Sequence, residues 1–434
     1  MATLDSQADK TLCHLDKLSK IEVAEISSDY GLPVGISPLE SRVAGHSLDS
    51  ERQTIGMLRT SNGRVFKPVI KPLLGKREIT FYENLQISQD PVMIQLKSYV
   101  PRYYGTAELQ IFGRQITFLK LKDITEGMAE PCVMDIKIGR RTWDPLATPE
   151  KKATEELKYA ESKRTYGFCI TGFQVYSVTS GQLKKFGKHY GKNLDAKAVV
   201  EALKIFLNIS PERPPCRQLI VKLLSFLWKI LLFFRTQRLF RFYSSSLLVA
   251  YDAKRLRHYL RLNEKGVNRS SDGNVDSKSF STTNSHRTTT SNVFDATSNN
   301  VDTSRNRTTE RVHFIKRSIS LSSEYDWSKK ERIVNRSESC SPDFQADRPC
   351  RTNSCASNFD DDIVRMKEDY DDLVNELTSS SEEKQNWVRI NMIDFTHVFP
   401  AEDHSTLDRN YLEGIENLIK LVEMFLVSKD TTGA

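Results

Sequence analysis

The feature that most constrains the fold is a long polar segment in the second half of the chain. Of the 45 residues from 266 to 310, 25 are Ser, Thr or Asn, and few are large and apolar. Such a segment cannot bury enough apolar surface to offset the entropy lost on ordering. Polar sequence continues to about residue 386, and strand-like sequence resumes at Trp387. We therefore predict a folded domain interrupted by a disordered, low-complexity insert over 263–386.

The insert accounts for the low apolar content of the chain. Apolar residues make up 38% of the 434 residues, whereas globular proteins usually contain about 45–50%. The net charge of +7 has a local origin, since residues 137–192 contain 12 Lys and Arg against 5 Asp and Glu. A local excess of this kind indicates a site for a small polyanion, and we predict no nucleic-acid partner.

Cysteine usage and hydropathy bear on the compartment. The 7 cysteines are scattered and form no CxxC pair, and the N-terminus has no apolar core like that of a signal peptide. The apolar run at 219–234 contains Lys222 and Lys229 and is shorter than the ~20 residues that a membrane span needs. We predict a buried or amphipathic helix there, with no transmembrane segment, while contact with anionic lipid stays open. The expected location is the nucleus and cytoplasm, and the expected state a monomer.

Hydrophobic patterning predicts an α+β protein. The predicted parts are a flexible leader (1–40), an N-lobe (41–125), a first part of a C-lobe (126–262), the insert (263–386) and a C-lobe completion (387–430). Strands are predicted at 63–70, 92–100, 116–125, 131–139, 167–178, 245–252 and 387–400. Helices are predicted at 76–86, from Thr148 onward, at 215–240, 253–264 and 410–427.

Several charged residues lie in strand-like apolar segments. No GxxxxGK[ST] or GxGxxG loop is present, which argues against P-loop and Rossmann sites. Asp135 and Lys137 alternate along one predicted strand and so share a face. Lys67 and Asp394 lie in other apolar segments, where a charge is costly unless it is paired or binds metal. A lysine for phosphates and an aspartate for Mg²⁺ would suit phosphoryl transfer; ion pairs at a domain seam are the alternative.

Three motifs carry a resemblance to a known family. Residues 131–139 (PCVMDIKIG) resemble the PxxxDxKxG signature of the inositol polyphosphate kinases. Residues 243–252 (YSSSLLVAYD) are similar to their Ser-Ser-Leu-Leu segment, and 393–397 (IDFTH) to their IDFxH motif. The resemblance covers about 43–252 and 387–427. It implies a two-lobed, protein-kinase-like α+β fold with an antiparallel sheet in each lobe.

Within the family, the chain most resembles the multikinase branch. The residues that carry this are 141–145 (RTWDP), a short stretch before Gly167 and the full IDFTHVFP. The resemblance implies ATP- and Mg²⁺-dependent phosphorylation of inositol 1,4,5-trisphosphate to tetrakis- and pentakisphosphate at the 3- and 6-positions. Phosphatidylinositol 4,5-bisphosphate is a further implied acceptor. The alternatives are a narrower trisphosphate 3-kinase or hexakisphosphate kinase, and a non-catalytic polyphosphate-binding scaffold.

The resemblance also implies roles on the ATP side of the site. Lys67 would contact the ATP phosphates, and Glu78 would pair with or support it. The hinge between the lobes would bind adenine mainly through backbone groups; its residues are Lys122, Asp123 and Ile124. Lys122 stands where the family is expected to have Glu.

Other implied roles concern the reacting groups. Asp135 would hold the ribose or orient the reactants, and Lys137 would meet the phosphate being transferred or its neighbours. Asp394 would bind the Mg²⁺ that bridges the ATP phosphates. His397 would contact the inositol, although a buried structural histidine is the alternative from the residues alone.

Acceptor binding is predicted to use a cluster of lysines, because an inositol polyphosphate carries several dianionic groups. Lys151 and Lys158 are seven residues apart and would share a face of the helix that begins at Thr148. Lys192 would add a further donor. The family's amide residues on this helix appear here as Thr154 and Glu155. A glutamate facing a polyanion is unfavourable, so either Glu155 points away or the substrate preference differs.

Overall fold

The structure of the protein is a computed structural model that describes residues 32–45, 48–261 and 386–427. The predicted insert lies outside the described residues, apart from Asn386. The described chain forms two five-stranded sheets, both antiparallel, with helices packed against them. The predicted α+β class, with an antiparallel sheet in each lobe, is confirmed.

The first sheet has the strand order β1-β2-β3-β5-β4. Its strands are β1 (Ile36–Pro38), β2 (Leu58–Thr60), β3 (Arg64–Pro68), β4 (Tyr103–Ile111) and β5 (Arg114–Lys122). Strand alternation places Phe66 and Phe118 in a small cluster on one face. Val65 and Leu119 lie on the other face and join the main core. Two helices, α1 (Pro72–Ile87) and α2 (Pro91–Lys97), follow β3.

The second sheet has the order β11-β10-β6-β7-β8. Its strands are β6 (Pro131–Ile138), β7 (Phe168–Tyr176), β8 (Leu183–Phe186), β10 (Ser246–Asp252) and β11 (Val388–Ile393). A separate two-stranded pairing joins β9 (Phe240–Phe242) to β12 (Val398–Pro400). Strand β11 pairs with β10 in the register Ser246↔Ile393. The segment after the predicted insert therefore completes the sheet that begins before it.

Helices cover the second sheet. The helices are α3 (Pro149–Leu157), α4 (Ala160–Tyr166), α5 (Lys188–Lys192), α6 (Ala196–Phe206), α7 (Arg217–Thr236), α8 (described over 253–261) and α9 (Arg409–Val427). Helix α7 is the predicted apolar helix, and 12 of its side chains are buried. None of the helices in the described ranges has the length and apolarity to cross a membrane.

The structure corrects three predictions and contains one strand that the sequence does not predict. Residues 92–100 are not a strand, because Pro91 begins α2 and the Asp90 carboxylate caps it by accepting from the Val92 amide at 2.8 Å. The predicted leader ends before residue 40, because Leu32 is fully buried and β1 pairs with β2. Strand β4 was not among the predicted strands. The predicted strand at 387–400 is divided into β11 and β12 by a loop.

Candidate active site

A cavity of about 290 Å³ lies between the two sheets. Apolar side chains from both sheets and from the segment after β5 form part of its walls: Val65, Leu121, Ile124, Val133 and Leu248. Charged side chains line it as well: Lys67, Glu78, Asp135 and Asp394. Walls of this kind can accept a flat apolar group, and the charges can bind a polar group attached to it.

Lys67 joins the two sheets. Its Nζ lies 2.8 Å from Glu78 Oε1 on α1 and 2.6 Å from Asp394 Oδ1 after β11. Burial alone would lower the pKa of Lys67, but the charges of Asp394 and Glu78 outweigh it and raise that pKa. Lys67 is therefore held in its charged form by these two carboxylates.

Glu78 organises the loop that carries Asp394. Its carboxylate accepts from the Phe395 amide at 3.2 Å and from the Thr396 hydroxyl at 3.4 Å. Asp394 has a φ of +66°, in the left-handed region that few non-glycine residues adopt. This conformation ends β11 and directs the Asp394 carboxylate at Lys67. The contacts of Glu78 hold the strained backbone in place.

Asp135 and Asp394 form a carboxylate pair in the cavity. Burial, followed by the charge of Asp394, raises the pKa of Asp135. The pKa of Asp394 is lowered, since the charges of Lys67 and Lys137 outweigh its own burial. Asp135 Oδ1 is buried without a hydrogen-bond partner among the described residues.

The carboxylate pair fits a divalent cation. Within the described ranges no group of three His, Cys, Asp or Glu side chains could hold a metal ion by itself. Mg²⁺, however, is commonly bound by one or two carboxylates together with water and phosphate oxygens. Asp394, with the unpartnered oxygen of Asp135 beside it, meets that requirement.

Lys137 lies on the same face of β6 as Asp135, as the sequence predicts. Its Nζ donates to the Ser244 carbonyl at 2.8 Å and to the Ser244 hydroxyl at 2.7 Å. Both partners are neutral, so they fix the lysine without cancelling its charge. Ser244 also has a positive φ, of 59°. Lys137 lines a second cavity of about 290 Å³ that shares Lys67 and Asp394 with the first.

The predicted hinge residues lie at the cavity wall. The Lys122 amide donates to Arg102 O, and the Ile124 carbonyl accepts from Arg389, so these two groups are already bonded. The Ile124 amide has no partner recorded within the described residues. Asp123 accepts from the Thr125 amide and hydroxyl through Oδ1. The Lys122 ammonium pairs with Glu126, which directs its charge to that carboxylate.

His397 lies in the loop between β11 and β12, not on a strand. Its Nδ1 contacts the carboxylate of Asp144. Burial lowers the pKa of His397, although Asp144 acts in the opposite direction. The charges of Lys151 and Lys137 also lower the pKa of His397. Both predicted roles for His397, substrate contact and structural pairing, are compatible with this position.

The structure separates the lysines predicted to share a helix face. Helix α3 begins as predicted, with Thr148 capping it and Pro149 in its first turn. It ends at Leu157, and Lys158 has an extended backbone. The residue that shares a face with Lys151 is therefore Glu155, four positions later.

The remaining predicted donors lie differently. Lys158 turns back to pair with Glu155, with its Nζ 2.7 Å from Oε1. Lys192 lies exposed at the end of α5. Lys151, Lys158 and Lys192 all lie outside the linings of the two cavities described above.

Sequence reasoning missed several residues of the site. Ser244 holds Lys137, Asp144 holds His397, and Lys163 donates to the Glu155 carbonyl. Asp144 and Ser244 lie inside segments that carry the family resemblance, so the sequence could have indicated that they belong to the site. Lys163 carried no such indication, because it is one of many lysines and only the fold buries it, with 4% of its surface exposed.

The two adjoining cavities together bring the groups expected of a phosphotransferase cleft close to one another: a fixed lysine, paired acids and a second lysine. Comparison with known sequences agrees. The sequence profile of the inositol polyphosphate kinase family matches residues 118–423. Human inositol polyphosphate multikinase is 26% identical over 90% of this chain and 89% of its own length. Human inositol hexakisphosphate kinase 2 is 36% identical over 42% of this chain and 44% of its own length.

The chain is also similar to solved structures. An inositol phosphate multikinase from S. cerevisiae, in complex with ADP and Mn²⁺, is similar with a TM-score of 0.43 and 18% identity, covering 84% of this chain and 99% of that one. The sequence match is the stronger observation, since the family profile spans both the first part of the second sheet and its completion. The chain belongs to the inositol polyphosphate kinase family, and it is an enzyme of the kinase class.

Proposed function

We propose that the enzyme transfers the γ-phosphate of ATP to hydroxyls of inositol polyphosphates, with Mg²⁺ as cofactor. The proposed acceptors are inositol 1,4,5-trisphosphate and the tetrakisphosphate formed from it, with transfer to the 3- and 6-positions and pentakisphosphate as the product. The match to human inositol polyphosphate multikinase along 90% of the chain supports activity on several acceptors, and not on a single one.

The first cavity suits the nucleotide. Its apolar walls would enclose the adenine, and the Ile124 amide would donate to a ring nitrogen. Lys67 would donate to the phosphates from a position that Glu78 fixes by a bond of 2.8 Å. Because Glu78 is buried, Lys67 is oriented before any nucleotide arrives, and little ordering is required on binding.

The acids would hold the metal. Bound Mg²⁺ supplies neutralisation of the negative charge on the transferring phosphoryl group. Asp394 would provide a ligand oxygen, and the unpartnered Oδ1 of Asp135 would provide a second contact or orient a water. Both carboxylates are held in fixed positions: β6 holds that of Asp135, and the loop bonded to Glu78 holds that of Asp394.

The second cavity suits the acceptor. Lys137 borders the second cavity and lies close to the acids of the first. Lys137 would therefore donate to the phosphoryl group as that group moves from ATP to the acceptor. His397 also borders the second cavity, and Lys151 and Lys158 lie outside its lining. These three side chains would contact the phosphates of the inositol. Phosphoryl transfer is accelerated chiefly by positioning and charge stabilisation, and this set provides both.

One observation carries the proposal: Lys67 from the first sheet meets Asp394 from the second at 2.6 Å, in a cavity that Asp135 also lines. A scaffold that only binds polyphosphate has no need for paired acids, which repel a polyanion. The acids are explained by a metal that a catalytic site requires.

Product analysis tests the proposal. The full-length protein is incubated with Mg²⁺ and ATP and with each inositol phosphate separately, and the products are resolved by chromatography. Phosphorylation of both the trisphosphate and the tetrakisphosphate is expected. Phosphorylation of the trisphosphate alone would indicate a 3-kinase, and of the hexakisphosphate alone a hexakisphosphate kinase. Phosphatidylinositol 4,5-bisphosphate in vesicles is tested as a further acceptor. Binding without ATP consumption would identify a scaffold.

A further inference from the structure

Glu155 places a negative charge inside the lysine cluster that is proposed to bind the acceptor. It shares a face of α3 with Lys151, whose charge acts on His397. Lys137, Lys158 and Lys163 all act on Glu155, and together they outweigh its burial and lower its pKa. Glu155 therefore lies among the lysines and remains ionised at neutral pH.

The contacts of Glu155 fix its carboxylate. Oε1 accepts from Lys158 Nζ at 2.7 Å, and Oε2 lies 3.4 Å from the hydroxyl of Thr142. Thr142 is itself buried. The side chain of Glu155 keeps 21% of its surface exposed, so a bound ligand can reach it.

Lys163 holds the backbone of the same residue. Its ammonium donates to the Glu155 carbonyl, one of the last carbonyls of α3, which lack a partner within the helix. Lys163 is buried, and burial lowers its pKa. This anchor keeps the end of α3, and with it Glu155, close to the site.

The carboxylate of Glu155 repels a phosphate. An ionised carboxylate only accepts hydrogen bonds, as does a phosphate dianion, so the two groups cannot bond to each other and their like charges oppose close approach. A hydroxyl at the same place can donate to the carboxylate and leave the ion pair intact. The subsite is thus complementary to a free hydroxyl.

We propose that Glu155 is a specificity-determining residue that makes this subsite accept a free hydroxyl of the inositol ring and disfavour a phosphate. The inference rests on the proposed function, since it concerns the acceptor of that reaction. It assigns to this chain a preference among inositol phosphate isomers: those with a phosphate at one particular ring position are poorer substrates.

The test compares isomers. Values of kcat/KM are measured for a panel of inositol tris-, tetrakis- and pentakisphosphates that differ in which positions carry phosphate. Glu155→Gln keeps the size of the side chain and removes its charge. For isomers that carry a phosphate at one ring position, Glu155→Gln should raise kcat/KM about tenfold relative to isomers with a hydroxyl at that position. This is the size expected when one close contact between like charges near a protein surface is lost. Glu156→Gln, an exposed neighbour on the same helix, is the matched control and should leave the ratio unchanged.

A second variant acts in the opposite direction. Lys158→Met leaves Glu155 without its closest cation, and the preference for a free hydroxyl should then increase. A shift by the same factor for every isomer, or no shift with Glu155→Gln, would overturn the inference and leave the proposed function standing.

The failure of the proposed function has a different signature. It would appear as a wild-type protein that phosphorylates no member of the panel. Equilibrium binding of the same isomers without ATP then decides the inference: a change of isomer preference with Glu155→Gln supports it, and an unchanged preference overturns it.

Discussion

The two sheets differ in how they are covered, and the site reflects the difference. On its outer face the first sheet has only a small cluster of its own, which includes Leu58, Phe66 and Phe118. The outer face of the second sheet lies in the main core with α7 and α9. The second sheet supplies Asp135, Lys137 and the loop of Asp394, whereas the first supplies Lys67. Most of the charged groups of the site are thus carried by the second sheet, which is the more deeply packed one. Lys67 extends to them from the first sheet.

Breaking the link between the sheets at its acidic end should have the largest effect. Asp394→Asn removes the charge that faces Lys67 and would bind the metal. We expect kcat to fall by about 10²- to 10³-fold, the size seen when one group that stabilises charge in a transition state is removed. The fold should remain, because the Ser245 hydroxyl bonds to the backbone carbonyl of Asp394 and not to its side chain.

Steady-state kinetics and thermal unfolding, measured on the same preparation, check this prediction. Glu402→Gln, which neutralises an exposed acid on the loop after β12, is the control and should keep normal turnover. Full activity of Asp394→Asn would refute the assignment of Asp394 to the metal.

The difference in packing can be measured directly with one residue type. Leu247 on β10 and Leu58 on β2 are both fully buried. We expect Leu247→Ala to lower the free energy of unfolding by about 4 kcal/mol and Leu58→Ala by about 2.5 kcal/mol, because a short strand in a small cluster can relax around the cavity. Urea denaturation gives both values. Equal losses would show that the two sheets are packed equally well.

Glu78 tests whether the link contributes to stability as well as to catalysis. Glu78→Gln removes the charge opposite Lys67 and weakens the bonds to Phe395 and Thr396. The expected loss is about 3 kcal/mol in the free energy of unfolding, as for other buried pairs broken on one side. Turnover should fall too, since the Asp394 loop loses its support.

Denaturation and kcat are compared with those of Glu83→Gln, which neutralises an exposed acid on the same helix. A Glu78→Gln protein of unchanged stability would mean that the loop is held by its own packing, for example by the stacking of Phe81 on Phe395.

The convergence at Lys67 also shows what the sequence can predict. The shared face of Asp135 and Lys137 follows from strand alternation, a local rule. The contact of Lys67 with Asp394 joins residues 327 positions apart. The residues alone suggested ion pairs at a domain seam as one alternative, but they did not show which charges pair. The antiparallel sheets were predicted from the resemblance to a family, whereas the strand pairings needed the structure.

The errors have local causes. Residues 92–100 contain β-branched and aromatic residues that favour a strand, but the cap at Asp90 and Pro91 favoured a helix and prevailed. A count of seven residues from Lys151 predicts that Lys158 lies on the same face of α3. No glycine or proline marks the end of that helix at Leu157, so the change to an extended backbone could not be read from the residues.

Helix α3 is packed less deeply than either sheet, since none of its residues is buried. The bond between Glu155 and Lys158 is correspondingly weak, because Lys158 is 40% exposed and water screens the pair. We expect Glu155→Gln to lower the free energy of unfolding by about 0.5 kcal/mol at neutral pH, the size of other exposed ion pairs. This is the smallest effect predicted for the molecule.

The pH dependence of this stability difference shows whether it comes from the charge of Glu155. The pKa of Glu155 is lowered in the folded protein from the ordinary value of 4.5, so the folded state binds this proton less readily than the unfolded state does. The stabilisation is therefore complete above the ordinary pKa and is lost as the pH falls through the lowered one. The difference in stability between wild type and Glu155→Gln should shrink over that acidic range. A difference that stays constant with pH would mean that Glu155 contributes through packing, and the charge argument for acceptor selection would lose its support.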